Sequence, residues 1–151
     1  MVTGKPIGLA ADHAGFELKE KIGALLGQMG YSVRDFGAAS TASVDYPDFA
    51  HPLANALENG ELQRGVACCG TGNGMAIALN RHRGVRAGLC WNAEVASLVR
   101  RHNDANVCVL PARFVSEAEA IEMVKTFLDA AFEGGRHQCR IDKINEQINN
   151  S

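Results

Sequence analysis

The chain has no long hydrophobic run. No segment approaches the roughly 18 consecutive apolar residues that a membrane span needs, and Met1-Val2-Thr3-Gly4-Lys5-Pro6 lacks the apolar core of a secretory signal. No membrane association is expected. Basic residues are not in excess either. The 15 Lys and Arg against 17 Asp and Glu leave a formal net charge of −2, which argues against nucleic acid as a partner. The five cysteines are an odd number, and no two form a C-x-x-C pair. Three of them, Cys68, Cys90 and Cys108, lie in apolar strand-like runs. That usage fits thiols in a reducing compartment, the cytoplasm, rather than disulfide staples. The His, Asp and Cys residues show no recognisable metal-ligand spacing, so neither a metal nor another cofactor is expected. Linkers, low-complexity segments and internal repeats are all missing.

What remains is one domain of 151 residues, 46% apolar and 21% charged, as in a soluble globular protein. Short apolar runs at Ile7–Ala11, Ser32–Phe36, Gly65–Cys69, Arg86–Cys90 and Asn106–Leu110 read as strands covered on both faces. Helical spacing fills the intervals. In Phe16–Met29, the residues Leu18, Ile22, Leu25, Leu26 and Met29 share one face, and Gly30 stops the helix. Asp48–Asn59 ends at Gly60, Asn92 caps a helix to Arg101, and Ser116-Glu117-Ala118-Glu119 is a capping box. The helix it starts carries Ile121, Val124, Leu128 and Phe132 on one face. Ile141, Ile144 and Ile148 line a terminal helix over about 135–148 that departs toward a partner subunit. Strand–helix alternation of this kind predicts an α/β fold, a three-layer αβα Rossmann-like domain with a five-stranded parallel sheet. Ligands then bind beyond the carboxyl ends of the strands.

One stretch at such an end stands out: Val66-Ala67-Cys68-Cys69-Gly70-Thr71-Gly72-Asn73-Gly74-Met75. It is not a Walker loop, because no Gly-Lys-Ser/Thr follows. It also misses G-x-G-x-x-G, since Met75 or Ile77 takes the place of the last glycine. Alternate glycines free backbone N–H groups to hold an anion. A cysteine at a strand end is usually a small buried hydrophobe, and Cys68, facing the other way, is explained so. Cys69 abuts a helix N-terminus, which favours thiolate. A thiolate there can move a proton or attack an electrophile, with the turn holding the oxyanion.

Other polar residues carry a structural and a chemical reading together. Asp12 and His13 end the first strand, yet Asp12 is also an N-cap. Thr71 and Asn73 are able to cap the helix they precede. His102 sits where it would complement a helix dipole, and Asp45-Tyr46-Pro47 reads as a turn. His51 and His82 read as surface or packing residues. Arg136 and Arg140 share a helical face, and Arg113 follows the fifth strand. Paired guanidiniums suit a phosphate, although a solvated basic face is their commoner fate.

In order along the chain stand Ala11-Asp12-His13-Ala14-Gly15, Asp45-Tyr46-Pro47, Cys69-Gly70-Thr71-Gly72-Asn73-Gly74, Arg101-His102-Asn103-Asp104 and Glu133-Gly134-Gly135-Arg136-His137-Gln138. With these five motifs the chain resembles the ribose-5-phosphate isomerase B and galactose-6-phosphate isomerase family from Ile7 to about Ile148. The resemblance implies a metal-free aldose–ketose isomerisation between D-ribose 5-phosphate and D-ribulose 5-phosphate through a cis-enediolate. It casts Cys69 as the base between C1 and C2, because Met75 occupies the place of the glutamate that other members use. It implies that His102 opens the sugar ring with Thr71 nearby, and that Asp12 moves protons among the sugar oxygens. Gly70, Gly72, Asn73 and Gly74 would hold the enediolate, and Tyr46 and Asn103 would line the pocket. His13, Arg113, Arg136 and Arg140 would take the phosphate. It implies a homodimer or tetramer whose site is shared between subunits. Erythrose 4-, allose 6- or galactose 6-phosphate would use the same machinery, and a non-catalytic phosphosugar-binding protein would keep the same fold. Cys139, between the arginines, has no functional reading.

Overall fold

The computed structural model describes residues 4–146. Among them the chain alternates strands β1 (Ile7–Ala11), β2 (Val33–Asp35), β3 (Arg64–Cys69), β4 (Ala87–Leu89) and β5 (Val107–Pro111) with helices. These are α1 (Phe16–Gln28), α2 (Pro47–Glu58), α3 (Asn73–Leu79), α4 (Ala93–Arg101), α5 (Glu117–Asp129) and α6 (Arg136–Asp142). The five strands form one parallel sheet in the order β2-β1-β3-β5-β4.

That order explains which strands are long and apolar. The three inner strands β1, β3 and β5 are buried along almost their whole length and are the most continuously hydrophobic. The edge strands are three residues each and only partly covered, shorter than the runs Ser32–Phe36 and Arg86–Cys90 predict. Two cores flank the sheet. One packs Ile22, Leu26, Met123, Val124 and Phe127 against Leu9, Val66, Cys68 and Leu110. The other packs Leu53, Leu57, Met75 and Leu79 against Ala10, Ala67, Cys69 and Val109. Cys68 and Cys69 therefore face opposite cores, as strand alternation requires.

Two of the predicted caps form, while α1 and α3 start at Gly15 and Gly72 with no side-chain cap. Asn92 Oδ1 accepts from the Val95 amide at 2.8 Å, and Ser116 and Glu119 make the reciprocal pair of the capping box. Gly30 and Gly60 end α1 and α2 with φ of +91° and +76°, which glycine adopts without steric cost.

Two faces differ from expectation. Helix α5 stops at Asp129, so Phe132 lies beyond it, and the fully buried stripe is Ala120, Met123, Val124 and Phe127, with Ile121 and Leu128 at its margins. In α1, Lys19 is 1% exposed among apolar neighbours. Its ammonium pairs with Asp35 at 2.6 Å and Glu20 at 3.2 Å, which compensates a charge that would otherwise be too costly to bury. Helix α6 covers Arg136–Asp142, while Ile148 of the expected terminal face lies outside the described residues. Among the described residues no helix is long and apolar enough to cross a membrane.

Candidate active site

The sheet reverses its direction of growth between β1 and β3. In open α/β sheets the crevice beyond the carboxyl ends of the strands at such a point is the binding position. Register places Ala11 beside Cys68 and Cys69 beside Pro111, so Asp12, the glycine turn and Arg113 share one edge. Two backbone bonds tie the turn to the end of β5: Ala112 N to Cys69 O at 2.9 Å and Arg113 N to Gly70 O at 3.0 Å.

Within that edge, Cys69 is 4% exposed at the last position of β3. Gly72 turns the chain with φ of +78°, and Thr71 Oγ1 accepts from the Asn73 amide at 3.3 Å. Helix α3 has only seven residues, so the donors near Cys69 are the N–H groups of the turn more than a long helix dipole. The other glycines make room for side chains. A Cβ on Gly70 would lie 3.2 Å from Arg113 Nε, and one on Gly74 would strike the Tyr46 ring at 2.5 Å. Tyr46 and Arg113 thus border the turn on two sides. Asp12 Oδ1 accepts from the amides of Ala14 and Gly15 at 3.0 and 3.1 Å, which closes the turn ahead of α1. The N-cap of that helix is Gly15, with no side-chain cap, so Asp12 does not fill the expected N-cap position. Oδ2 takes no part in that turn. His13 Nδ1 accepts from the Val44 amide at 3.2 Å. Because that donor cannot accept, the neutral ring carries its proton on Nε2, as a donor for a ligand.

The remaining predicted residues sit elsewhere. Helix α4 runs antiparallel to the strands, so His102 and Asn103 emerge at the amino edge of the sheet, just ahead of β5. Helix α6 joins them there. Glu133 N donates to Arg101 O at 3.0 Å, and His102, Asn103, His137, Arg140, Ile141 and Ile144 line a groove of about 390 Å³. Arg136 and Arg140 belong to this second cluster. The five residues of β5 separate the two edges by about 16 Å at roughly 3.3 Å per residue. One chain therefore brings together Cys69, Gly70, Thr71, Gly72, Asn73, Gly74, Asp12, His13, Tyr46 and Arg113, and it keeps His102, Asn103, Arg136 and Arg140 apart from them.

Sequence reasoning passed over three neighbours of His102. The His137 ring stacks on His102 with centroids 4.2 Å apart and planes 13° from parallel. Glu133 Oε1 lies 3.7 Å from Nε2 of both rings, and Glu133 Oε2 accepts from Arg101 Nε at 2.7 Å. That hydrogen bond holds the Glu133 carboxyl below the usual range, with the charges of Arg101 and the two histidines acting the same way. Burial lowers His137, as do His102 and Arg136, against the opposing pull of Glu133. The i, i+4 spacing of Glu133 and His137 was the available signal. The ligand atoms of His102, Glu133 and His137 lie within 4.8 Å of one another, a spacing open to a metal ion. The parallel rings do not aim their lone pairs at one point, however, and Glu133 is engaged by Arg101. A second group forms where only packing was expected: His51 Nδ1 lies 2.7 Å from His82 Nε2, and His82 Nδ1 lies 3.1 Å from Glu58 Oε1.

The sequence model of the ribose/galactose isomerase family matches residues 7–144. The chain is similar to ribose-5-phosphate isomerase B of Escherichia coli, with 42% identity over 140 residues, 93% of this chain and 94% of that protein. Among solved structures, the ribose 5-phosphate isomerase of Thermotoga maritima superimposes with a TM-score of 0.93 at 47% identity, covering 95% of this chain and 99% of that one. Ribose-5-phosphate isomerase B of Mycoplasma genitalium, with bound ribulose-5-phosphate, gives a TM-score of 0.92 at 41% identity over 99% of each chain.

Proposed function

The chain belongs to the ribose/galactose isomerase family, and from that premise we infer that it interconverts D-ribose 5-phosphate and D-ribulose 5-phosphate, a step of pentose phosphate metabolism. The observation that carries this reading is Cys69 at the end of β3, beside a glycine turn and Asp12 at the point where the sheet reverses.

The chemistry assigned to these residues is proton transfer through a cis-enediolate. Cys69 takes the proton from C2 of the open-chain aldose and returns it to C1. The N–H groups of Gly70–Gly74 meet the negative charge that develops on oxygen, where preorganised donors are worth most. Asp12 moves the proton between the oxygens on C1 and C2, and Tyr46 and Asn103 shape the pocket. His102, with Thr71, opens the sugar ring before the transfer. His13, Arg113, Arg136 and Arg140 hold the phosphate, the arginines through paired guanidinium contacts.

Because the Cys69 and His102 clusters lie on opposite edges of one sheet, this site needs two copies of the chain. We assign the protein as a homodimer, or a dimer of dimers, with each site built from both subunits. A reducing cytoplasm suits a mechanism that needs Cys69 as a thiol, and all five cysteines are free. A coupled assay over aldose phosphates of four, five and six carbons tests the assignment. Turnover is expected to be fastest with D-ribose 5-phosphate. Measurable binding without turnover of any of them would overturn it.

A further inference from the structure

We propose that Glu133 and His137 are positioning residues for His102, the carboxylate steadying its protonated ring and the second imidazole fixing its plane. The proposal rests on the reading of His102 as the group that opens the sugar ring. It adds to that reading the parts that make His102 competent to do so.

The geometry carries the argument. One oxygen of Glu133 is equidistant, at 3.7 Å, from the Nε2 atoms of two stacked imidazoles. Its other oxygen is pinned by Arg101 Nε at 2.7 Å, and its own amide bonds the Arg101 carbonyl. The carboxylate is therefore fixed relative to the end of α4, from which His102 projects. Two imidazolium rings with centroids 4.2 Å apart would repel each other, so the pair carries at most one proton beyond neutrality. His137 is 8% exposed, and its neighbours Arg136 and Arg140 are cationic. His102 is the more open of the two, so it is the ring presented to a ligand. Glu133 and His137 face His102 directly; Arg101 is bonded to Glu133, and Arg136 and Arg140 act on His137 from α6. Glu133 is the only anion among these and the group that favours protonated His102.

Ring opening needs such a proton. In the furanose form of ribose 5-phosphate the C1–O4 bond breaks while C1=O forms. His102 gives a proton to O4, and the proton of the C1 hydroxyl leaves to a base. D-ribulose 5-phosphate has its C5 oxygen esterified and cannot close an equivalent ring from C2. Exchange of its C1 hydrogen with solvent thus needs Cys69 but no ring opening. Turnover of the aldose and exchange of the ketose report on different halves of the site.

The experiment compares His102→Asn, Glu133→Gln, His137→Ala and His137→Phe in the full chain. It follows ribose 5-phosphate turnover across pH and deuterium uptake at C1 of ribulose 5-phosphate in D₂O. For Glu133→Gln and His137→Ala, kcat on the aldose should fall about ten-fold or more, within the range of acid–base assistance. KM should change little, and exchange should fall far less than turnover. The alkaline limb of the Glu133→Gln profile should move to lower pH, because the protonated ring has lost its anion. His137→Phe should restore most of the turnover, since it keeps a flat ring under His102. If Glu133→Gln and His137→Ala keep wild-type turnover while His102→Asn loses it, the positioning role is wrong and the ring-opening reading stands. If His102→Asn keeps turnover, that reading fails and the positioning role with it. Loss of exchange and turnover together in Glu133→Gln would make the residue a scaffold for the whole site and overturn the proposal.

Discussion

Two adjacent cysteines show how much one position along a strand decides. Cys68 is buried among aliphatic side chains, and burial pushes its thiol up to about 12, so it is inert at neutral pH. Cys69 faces the other core at the strand end, where the glycine turn begins. Cys69→Ala should abolish isomerisation while leaving circular dichroism and the thermal midpoint almost unchanged; near-normal turnover would remove Cys69 as the base. Cys68→Ser should do the reverse. Turnover per folded molecule should persist while denaturant unfolding shows a loss of about 1–3 kcal/mol, the cost of a buried hydroxyl without a good partner. For Arg136→Ala and Arg140→Ala the expected effect is a KM increase of ten-fold or more with a smaller change in kcat, since phosphate contacts act in ground and transition states alike. An equal effect on an unphosphorylated sugar would contradict that role. Cys69, Asp12 and the arginines drew a chemical reading from the sequence because chemistry restricts which residue types perform it. His137 and Glu133 drew none, because what sets them apart is their contact with His102, some thirty residues earlier in the chain. Lys19 escaped for a related reason: its partner Asp35 lies on another element.

At the scale of elements, periodicity located the strands and all the helices of the described residues but α3, which the glycine turn alone announced, and the errors fall at edges and ends. Strands β2 and β4 are short because they are sheet edges, a property of topology that a local window does not hold. Helix α5 ends before Phe132 because the chain turns there to bring Glu133 back onto α4. Glycines mark where elements nearly touch. Gly74→Ala should displace the Tyr46 ring, 2.5 Å from the new methyl, and raise KM without unfolding the domain. The docking of α6 should depend on pH through His137. Folded His137 titrates below its ordinary value of 6.5, so between the two values the unfolded chain binds a proton that the folded one does not. Stability then rises with pH across that window and falls as pH drops below about 6.5. Amide protection factors in α6, taken relative to the intrinsic exchange rate at each pH, should fall as the solution is acidified from pH 7 toward pH 5.5, and His137→Phe should flatten that dependence.

For the molecule as a whole, the decisive fact is that the motifs divide between two edges of one sheet. Their order along the chain gave no hint of this. A helix that starts at the carboxyl edge must end at the amino edge, so any motif at the end of α4 lies a strand's length from one at the end of β3. A second copy resolves the separation if its amino edge faces the first copy's carboxyl edge, and two-fold symmetry then builds two equivalent sites. Mixing two inactive variants tests this. In a dimer of Cys69→Ala with His102→Asn, one site inherits both substitutions and the other inherits neither. Random exchange puts about half of the dimers in mixed form with one intact site each, so about a quarter of wild-type activity should return. Each variant alone should remain inactive at the same concentration. Recovery should require subunit exchange, rising with incubation under mildly dissociating conditions and failing when the dimers are cross-linked before mixing. If the mixture stays as inactive as its components despite demonstrated exchange, Cys69 and His102 act within one chain, and the two-edge geometry does not describe the working site.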